Sequence, residues 1–420
     1  MANESNLDIA VAGGGVAGIV AAYLLARRHR VTLYEKNNYV GGHTHTIEVD
    51  EGNESSTCVD TGFIVFNDRT YPNFIRFITQ LGISRLQSAM SFTYWDPAVG
   101  FTYNSTRPFA DKRNLLRPSF WGLLFEIGRF NRTTRRWLAQ NRLTGMTLGQ
   151  YLEQAGFSEA LAVYYVIPVS AAIWSTGERD ILDFPAQTFA RFFENHGLLS
   201  FSGQPRWYTI QGGSHEYVKA FLKKFPGKVH TGCPVRRIAR ENGQVRLWTD
   251  EAEATHDRVV IAAHADEALA MLADPSDAEA KLLSAWQYAQ NRVILHRDTS
   301  CLPPLQGAWG SWNYRQGEKK ATPGAATLTY YMNRLQQLAS QHHYCVTLNP
   351  DHPVEPGHII ADLNYGHPMF EKQSTAVQPD LPGLNGANNT WFCGSYFRYG
   401  FHEDAVISAV AVGRDFGIEL

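Results

Sequence analysis

Residues 7–13, LDIAVAG, form a short continuous apolar run, the pattern of a strand buried on both faces. A glycine-punctuated turn follows at 13–18, and IVAAYLLARR (19–28) then repeats apolar residues at helical spacing. HRVTLYEK (29–36) predicts a second strand ending at Glu35. The three segments make a βαβ unit within about 30 residues. Residues 37–66, with GGHTHT and VDTGFIVFN, predict a glycine-punctuated β-like stretch. From 70 to about 200 the spacing predicts helices, carried by YPNFIRFITQLG, LLRPSFWGLLFEIGRFNRTTRRWLAQN, TLGQYLEQAG and SEALAVYYVIPVSAAIW. QGGSHEYVKAFLKKF (211–225) sets Gly-Gly-Ser before another helix. Residues 228–250 predict strand, link, strand, turn, strand, and 254–266 a strand entering a loop. Residues 290–365 read as mainly β, interrupted by YMNRLQQL, and 389–417 as strand, glycine-rich turn, helix. No internal repeat or low-complexity linker divides the chain.

At 420 residues, the chain is long enough for two or three domains of about 100–200 residues each. Lys and Arg number 38 against 40 Asp and Glu, a net charge of −2, which argues against nucleic-acid binding by bulk charge. Apolar residues reach 44% and aromatics 12%, so the chain is globular and rich in side chains that could line a cavity. The five cysteines (58, 233, 301, 345, 393) form no CxxC pair, which disfavours a disulfide framework or a zinc knuckle. No basic leader and no run of 18 apolar residues is found, so the expectation is a soluble cytoplasmic protein. Ser214 lacks a GxSxG elbow, and Cys393 reads as a core thiol.

Gly13, Gly15 and Gly18 give the G-x-G-x-x-G spacing, with Val16 and Ala17 opening the helix. Gly13 permits the tight turn, Gly15 lets backbone approach a diphosphate, and Gly18 allows helix–strand packing. The free N–H groups of the helix start then face the phosphates. Glu35, 22 residues after Gly13 and followed by Lys36, would bind ribose hydroxyls and repel a 2′-phosphate, which points away from NADP.

NAD and FAD share this fingerprint, and later residues separate them. Gly41-Gly42-His43-Thr44, Asp60-Thr61-Gly62-Phe63, Gly212-Gly213, Pro234-Val235 and Phe392-Cys393-Gly394-Ser395, with Glu403, Asp404 and Ala405, follow in order. In this the chain resembles the flavin amine oxidase and phytoene desaturase superfamily. The resemblance implies FAD held by these segments, with Val235 at the adenine and the start of the last helix at the flavin. It also implies an α/β fold: a Rossmann-type FAD-binding domain from 1–66, 205–285 and 385–420, and a mixed α+β substrate domain from 67–204 (helical) and 286–384 (β-rich). GGHTHT, DTGFIVFNDRTYPNF, RNLLRP, AAIWS, RFFENHGLL, TLNP and FCGSYFRYGFHEDA resemble more closely a bacterial group of predicted NAD/FAD-binding oxidoreductases. That group accompanies methyltransferases similar to cyclopropane-fatty-acid synthase, and the association implies acyl-lipid chemistry.

Four departures bear on the substrate. His43 stands where amine oxidases carry Arg, Ser395 where many carry an acid, Phe401 where an aromatic-cage Tyr would be, and Asn291 where the flavin-linked Lys would be. An apolar substrate suits Phe401 better than an amine. His43 and His45, two apart, would share a face if they lay on a strand, and contact with cofactor or substrate is expected over a metal pair. His402, Glu403 and Asp404 read either as caps of the last helix or as groups that stabilise charge at the flavin. His45, Phe401 and His402 are the candidate catalytic residues. Residues 109–142 interleave eight Lys and Arg with apolar side chains, and read either as a helical lid with a solvated basic face or as an interfacial helix meeting anionic lipid.

The function expected is FAD-dependent oxidation of an apolar substrate, a fatty acyl chain that would be desaturated. The alternatives are a fatty-acid double-bond isomerase, a flavin amine oxidase, and a non-catalytic FAD-binding lipid carrier or sensor.

Overall fold

The computed structural model describes residues 6–52, 55–174, 178–200, 202–317 and 327–420. The first five residues, 175–177 and 201 of the predicted helical run, and 318–326 of the predicted β-rich run lie outside the described residues.

Five parallel strands form one sheet in the order Lys228–His230, Arg30–Tyr34, Asp8–Ala12, Arg258–Ile261, Thr390–Phe392. The helix Val16–Leu25 is apolar all round, and nine of its ten residues are buried, as expected of a helix enclosed on every side. It packs beside the last helix, His402–Asp415. Val16, Ile19 and Val20 share a core there with Val406, Ala409 and Val410.

A second sheet of seven strands runs Ile359–Pro368, Tyr288–His296, Cys345–Leu348, Thr327–Tyr331, Trp312–Arg315, Phe92–Asp96, Phe101–Asn104. Only Trp312–Arg315 and Phe92–Asp96 pair in parallel. Helices Pro118–Ala139, Leu148–Gln154, Ile167–Trp174 and Ala186–Asn195 share one apolar core with this sheet. No helix among the described residues is long and apolar enough to cross a membrane.

Two expectations change. The stretch predicted as helical from 70 contains strands at Arg85–Gln87, Phe92–Asp96 and Phe101–Asn104. Phe92–Asn104 alternates aromatic and Thr residues about an Asp-Pro-Ala-Val-Gly turn with Gly100 at φ 59°, the chemistry of a hairpin rather than a helix. The segment Gly41–His45 is a turn, and its strand starts only at Thr46. His43 and His45 therefore do not share a strand face.

Candidate functional site

A cavity of about 1490 Å³ runs from the carboxyl edge of the parallel sheet to the face of the seven-stranded sheet. Sites for one drug-sized molecule are typically about 300–1,000 Å³, so this space suits a cofactor together with a substrate.

At the sheet end the Gly13–Gly15 turn is held from three sides. Gly13 has φ 108°, and a Cβ there would meet the Ala262 carbonyl at 2.5 Å. A Cβ on Gly18 would strike the Gly13 carbonyl. Gly15 differs: its backbone is ordinary (φ −70°, ψ 178°), and a Cβ would meet nothing within 4 Å. It borders the cavity with Val16 and Ala17, and no side chain caps the helix that begins there. Gly41 N–H donates to Gly14 O at 2.8 Å, which ties the second glycine pair to the first turn.

Glu35 lies just past its strand and is buried. Its carboxylate accepts from Gly14 N–H at 2.7 Å and Asn37 N–H at 2.8 Å, and burial pushes its pKa up. Lys36 pairs with Glu267, and both line the cavity.

Of the residues expected to hold cofactor, Gly13, Gly15, Val16, Ala17, Glu35, Lys36, Gly41, Gly42, His43, Gly62, Phe63, Val235, Gly394, Ser395 and His402 line this one space. His43 is half-buried, and its enclosed Nε2 has no hydrogen-bond partner. Burial, with His367, His264 and His402 nearby, holds it neutral well below the ordinary imidazole value. His402 stacks flat on Phe63 at 3.6 Å, and its Nε2 lies 3.1 Å from the Tyr217 hydroxyl. Burial lowers its pKa to about 3, so it offers a neutral ring and no cation.

Four expected residues lie apart from the cavity lining, besides Gly18, which acts through packing. Thr44 is buried behind it, 2.6 Å from the Tyr217 hydroxyl. His45 stacks on Tyr39 at 4.4 Å and meets the Tyr365 hydroxyl at 3.0 Å, because the turn at 41–45 sends it away from His43. Glu403 accepts from Asn73 N–H at 3.0 Å, Asn73 Nδ2 at 2.7 Å and Phe74 N–H at 2.8 Å, and so caps the helix Pro72–Leu81. Asp404 caps its own helix through Phe401 N–H at 3.0 Å. Asp404 thus caps the last helix, whereas Glu403, expected at the same helix start, caps Pro72–Leu81 instead. Glu403→Ala, which strands those donors, should lower unfolding stability by about 1–3 kcal/mol while leaving the spectrum of bound flavin unchanged; urea denaturation with matched absorbance spectra checks this.

The far end of the cavity is aromatic. Phe401 stacks on Phe192 at 4.8 Å, and Phe192 on His196 at 3.8 Å. Tyr165, Trp174, Trp312 and Tyr330 also line it. Tyr165 stands on a π-helical turn, Ala162–Val166, a local irregularity that often marks functional sites. Among the described residues, the charged side chains lining the cavity are Glu35, Lys36, Arg236 and Glu267, on segments that adjoin the parallel sheet. No group of three or more His, Cys, Asp or Glu among the described residues has the arrangement to hold a metal.

Residue-by-residue reading passed over His264 and His367. Their rings lie 6.1 and 5.2 Å from that of His43. His264 follows the strand Arg258–Ile261, whose carboxyl end opens on the crevice where α/β sheets bind ligands, and that was an available signal. His367 sits on an antiparallel strand with no such marker.

A glycine turn at the carboxyl edge of a parallel sheet, with a buried acid after the second strand, defines a dinucleotide-cofactor-binding protein. Its groups fit FAD: an open approach at Gly15, the free N–H groups of an uncapped helix start, and, as acceptors, the Glu35 carboxylate and the unpartnered nitrogen of His43. The chain belongs to the flavin containing amine oxidoreductase family, whose model matches residues 16–347. FAD is accordingly its cofactor.

A Mycobacterium tuberculosis protein whose name assigns it as a flavin-containing monoamine oxidase is 24% identical over 286 residues, 64% of this chain and 59% of its own length. A Streptomyces griseus carotenoid phi-ring synthase is 25% identical over 280 residues, 60% of this chain and 52% of that protein. The chain thus spans little more than half the length of these relatives. Among solved structures, a P. acnes fatty acid isomerase that produces CLA superposes with TM-score 0.71 at 17% identity, over 98% of this chain and 99% of that one. Cyclohexylamine oxidase from Brevibacterium oxydans gives 0.69 at 14% identity, over 98% and 100%. At these identities the likeness is one of fold.

Proposed function

We propose that the protein is an FAD-dependent oxidoreductase that removes hydrogen from an activated C–H of a fatty acyl chain, a substrate apolar and uncharged at its reacting end. One observation carries this reading: the aromatic end of the cavity holds no carboxylate and no cation among the described residues. An ammonium group placed there would find no counter-ion, only aromatic faces worth about 2 kcal/mol, against a desolvation cost of several kcal/mol. A methylene chain would gain about 0.8 kcal/mol per buried CH₂. When bound, FAD supplies the two-electron acceptor. Phe401, Phe192 and Trp174 would hold the chain and keep water out, and His43 and His402, both neutral, would line the site without adding charge. The resemblance to the bacterial group associated with cyclopropane-fatty-acid-synthase-like methyltransferases supports the same substrate class.

A second reading, double-bond isomerisation with no net redox change, draws support from the named activity of the P. acnes isomerase.

Anaerobic mixing of the holoenzyme with fatty acids and with a panel of primary amines and polyamines tests the proposal. Bleaching of the flavin band by a fatty acid, with the amines inert, is the expected result. Rapid bleaching by any common amine would overturn it.

A further inference from the structure

Of the seven large apolar side chains exposed to solvent among the described residues, four lie within 115–125: Leu115, Leu116, Trp121 and Phe125. Leu116 is 87% exposed and Phe125 71%. Two more flank them. Val99 precedes Gly100, whose carbonyl accepts from Arg117, and Leu305 lines a shallow groove of about 200 Å³ with Asp111 and Arg113. Six of the seven thus gather on one side of the protein, where scattered single positions would be unremarkable.

The charges of this side are equally one-sided. Residues 109–142 carry eight cations against two acids, on a chain whose overall charge is −2. Both acids are occupied: Asp111 by Arg113, and Glu126 by Arg129 and Ser158. Lys112, Arg132 and Arg136 are exposed and make no ion pair among the described residues. At about 100° per residue, Trp121, Phe125, Arg132 and Arg136 fall on one stripe of the helix Pro118–Ala139. The interfacial reading of the sequence has Trp121, Phe120 and Trp137 inserting into the leaflet; only Trp121 is exposed, and Phe120 and Trp137 are buried in the core instead.

The same segment walls the cavity. Thr106, Pro108, Leu124, Ile127 and Asn131 line it, and the last three stand on a side of the helix adjoining the exposed stripe.

We infer that this face docks on an anionic lipid leaflet, with Leu115, Leu116, Trp121 and Phe125 entering the headgroup layer and the cations meeting lipid phosphates. Apolar knobs ringed by unpaired cations are the complement of such a surface. The inference deepens the proposal of an acyl substrate and rests on it for its purpose: the docked segment would stand between the leaflet and the cavity.

Vesicle sedimentation of the holoenzyme tests it apart from turnover, with vesicles of phosphatidylcholine alone or mixed with phosphatidylglycerol. Binding is expected only to the mixed vesicles, weakening as salt shortens the Debye length towards about 8 Å. Leu116→Ser/Phe125→Ser and Arg132→Glu/Arg136→Glu should each reduce binding at least about tenfold, with flavin content, melting temperature and turnover of a detergent-dispersed fatty acid unchanged. Failure of the wild type to bind mixed vesicles at low salt overturns the docking while leaving the substrate proposal to its own assay. So does concentration-dependent dimerisation abolished by Leu116→Ser/Phe125→Ser in a protein that ignores vesicles.

Discussion

Gly15→Val is expected to give a folded but colourless protein. Valine is compatible with the backbone at position 15, φ −70° and ψ 178°, and its Cβ would meet no atom within 4 Å. The space it would fill is where a diphosphate must lie to reach the free N–H groups at the start of the helix Val16–Leu25. The substitution therefore costs the fold little and the cofactor a great deal. Flavin content, read as the absorbance ratio of flavin to protein, should fall at least about tenfold, with circular dichroism and the melting profile of the apoprotein preserved. Gly13→Val and Gly18→Val are the contrasting controls. Each would push a side chain into backbone, Ala262 or Gly13 respectively, and should lose the fold along with the cofactor. Full flavin occupancy in Gly15→Val would contradict the assignment of this turn to the diphosphate.

The second large effect is acid lability. Burial holds His196, His296 and His367 at about 4 and His402 at about 3, against an ordinary 6.5. Between pH 6.5 and 4 the unfolded chain takes up protons that the folded chain refuses, so stability falls as pH falls through that window. Each such group contributes a slope of up to about 1.4 kcal/mol per pH unit. Asp60 and Asp404, pushed up to about 7 by burial, act in the opposite sense, since the folded state binds their protons first. His43, His45, His215 and His264 are lowered too, and Glu35 and Glu403 raised, so the histidines outnumber the carboxylates and the net is a loss. The urea midpoint of the holoenzyme should therefore drop between pH 7 and pH 5, and His367→Asn should shallow that slope by about one proton's worth. A midpoint that holds steady or rises on acidification would contradict the burial of these neutral rings.

How far the site could be read in the sequence follows from which signals are local. The Gly13–Gly18 turn, Glu35, and the glycine pair at 41–42 announce themselves by spacing, because a diphosphate needs backbone with no side chain at fixed offsets. The last helix is equally legible, since His402–Asp415 follows a strand and a glycine turn. The roles of Glu403 and His45 are not local. Glu403 caps a helix more than three hundred residues earlier in the chain, and His45 is aimed by a turn that looks like strand when read alone. Alternation in Phe92–Asn104 was available to mark a hairpin, but the strongly helical segments around it obscure the change of period. The aromatic chamber is assembled from separate helices and strands, so no window of sequence contains it. The same is true of the exposed stripe at 115–125, where only packing decides that Phe120 turns inward and Trp121 outward.

The central claim is that this cavity brings FAD to the hydrogens of an apolar acyl chain. Mass spectrometry of a defined unsaturated fatty acid, whose allylic C–H is activated, after incubation with the holoenzyme and an electron acceptor tests it most directly. The account predicts a product lighter by two hydrogens, formed in step with reduction of the acceptor and absent from Gly15→Val. An unchanged fatty acid, alongside an amine converted by the same preparation, would contradict it.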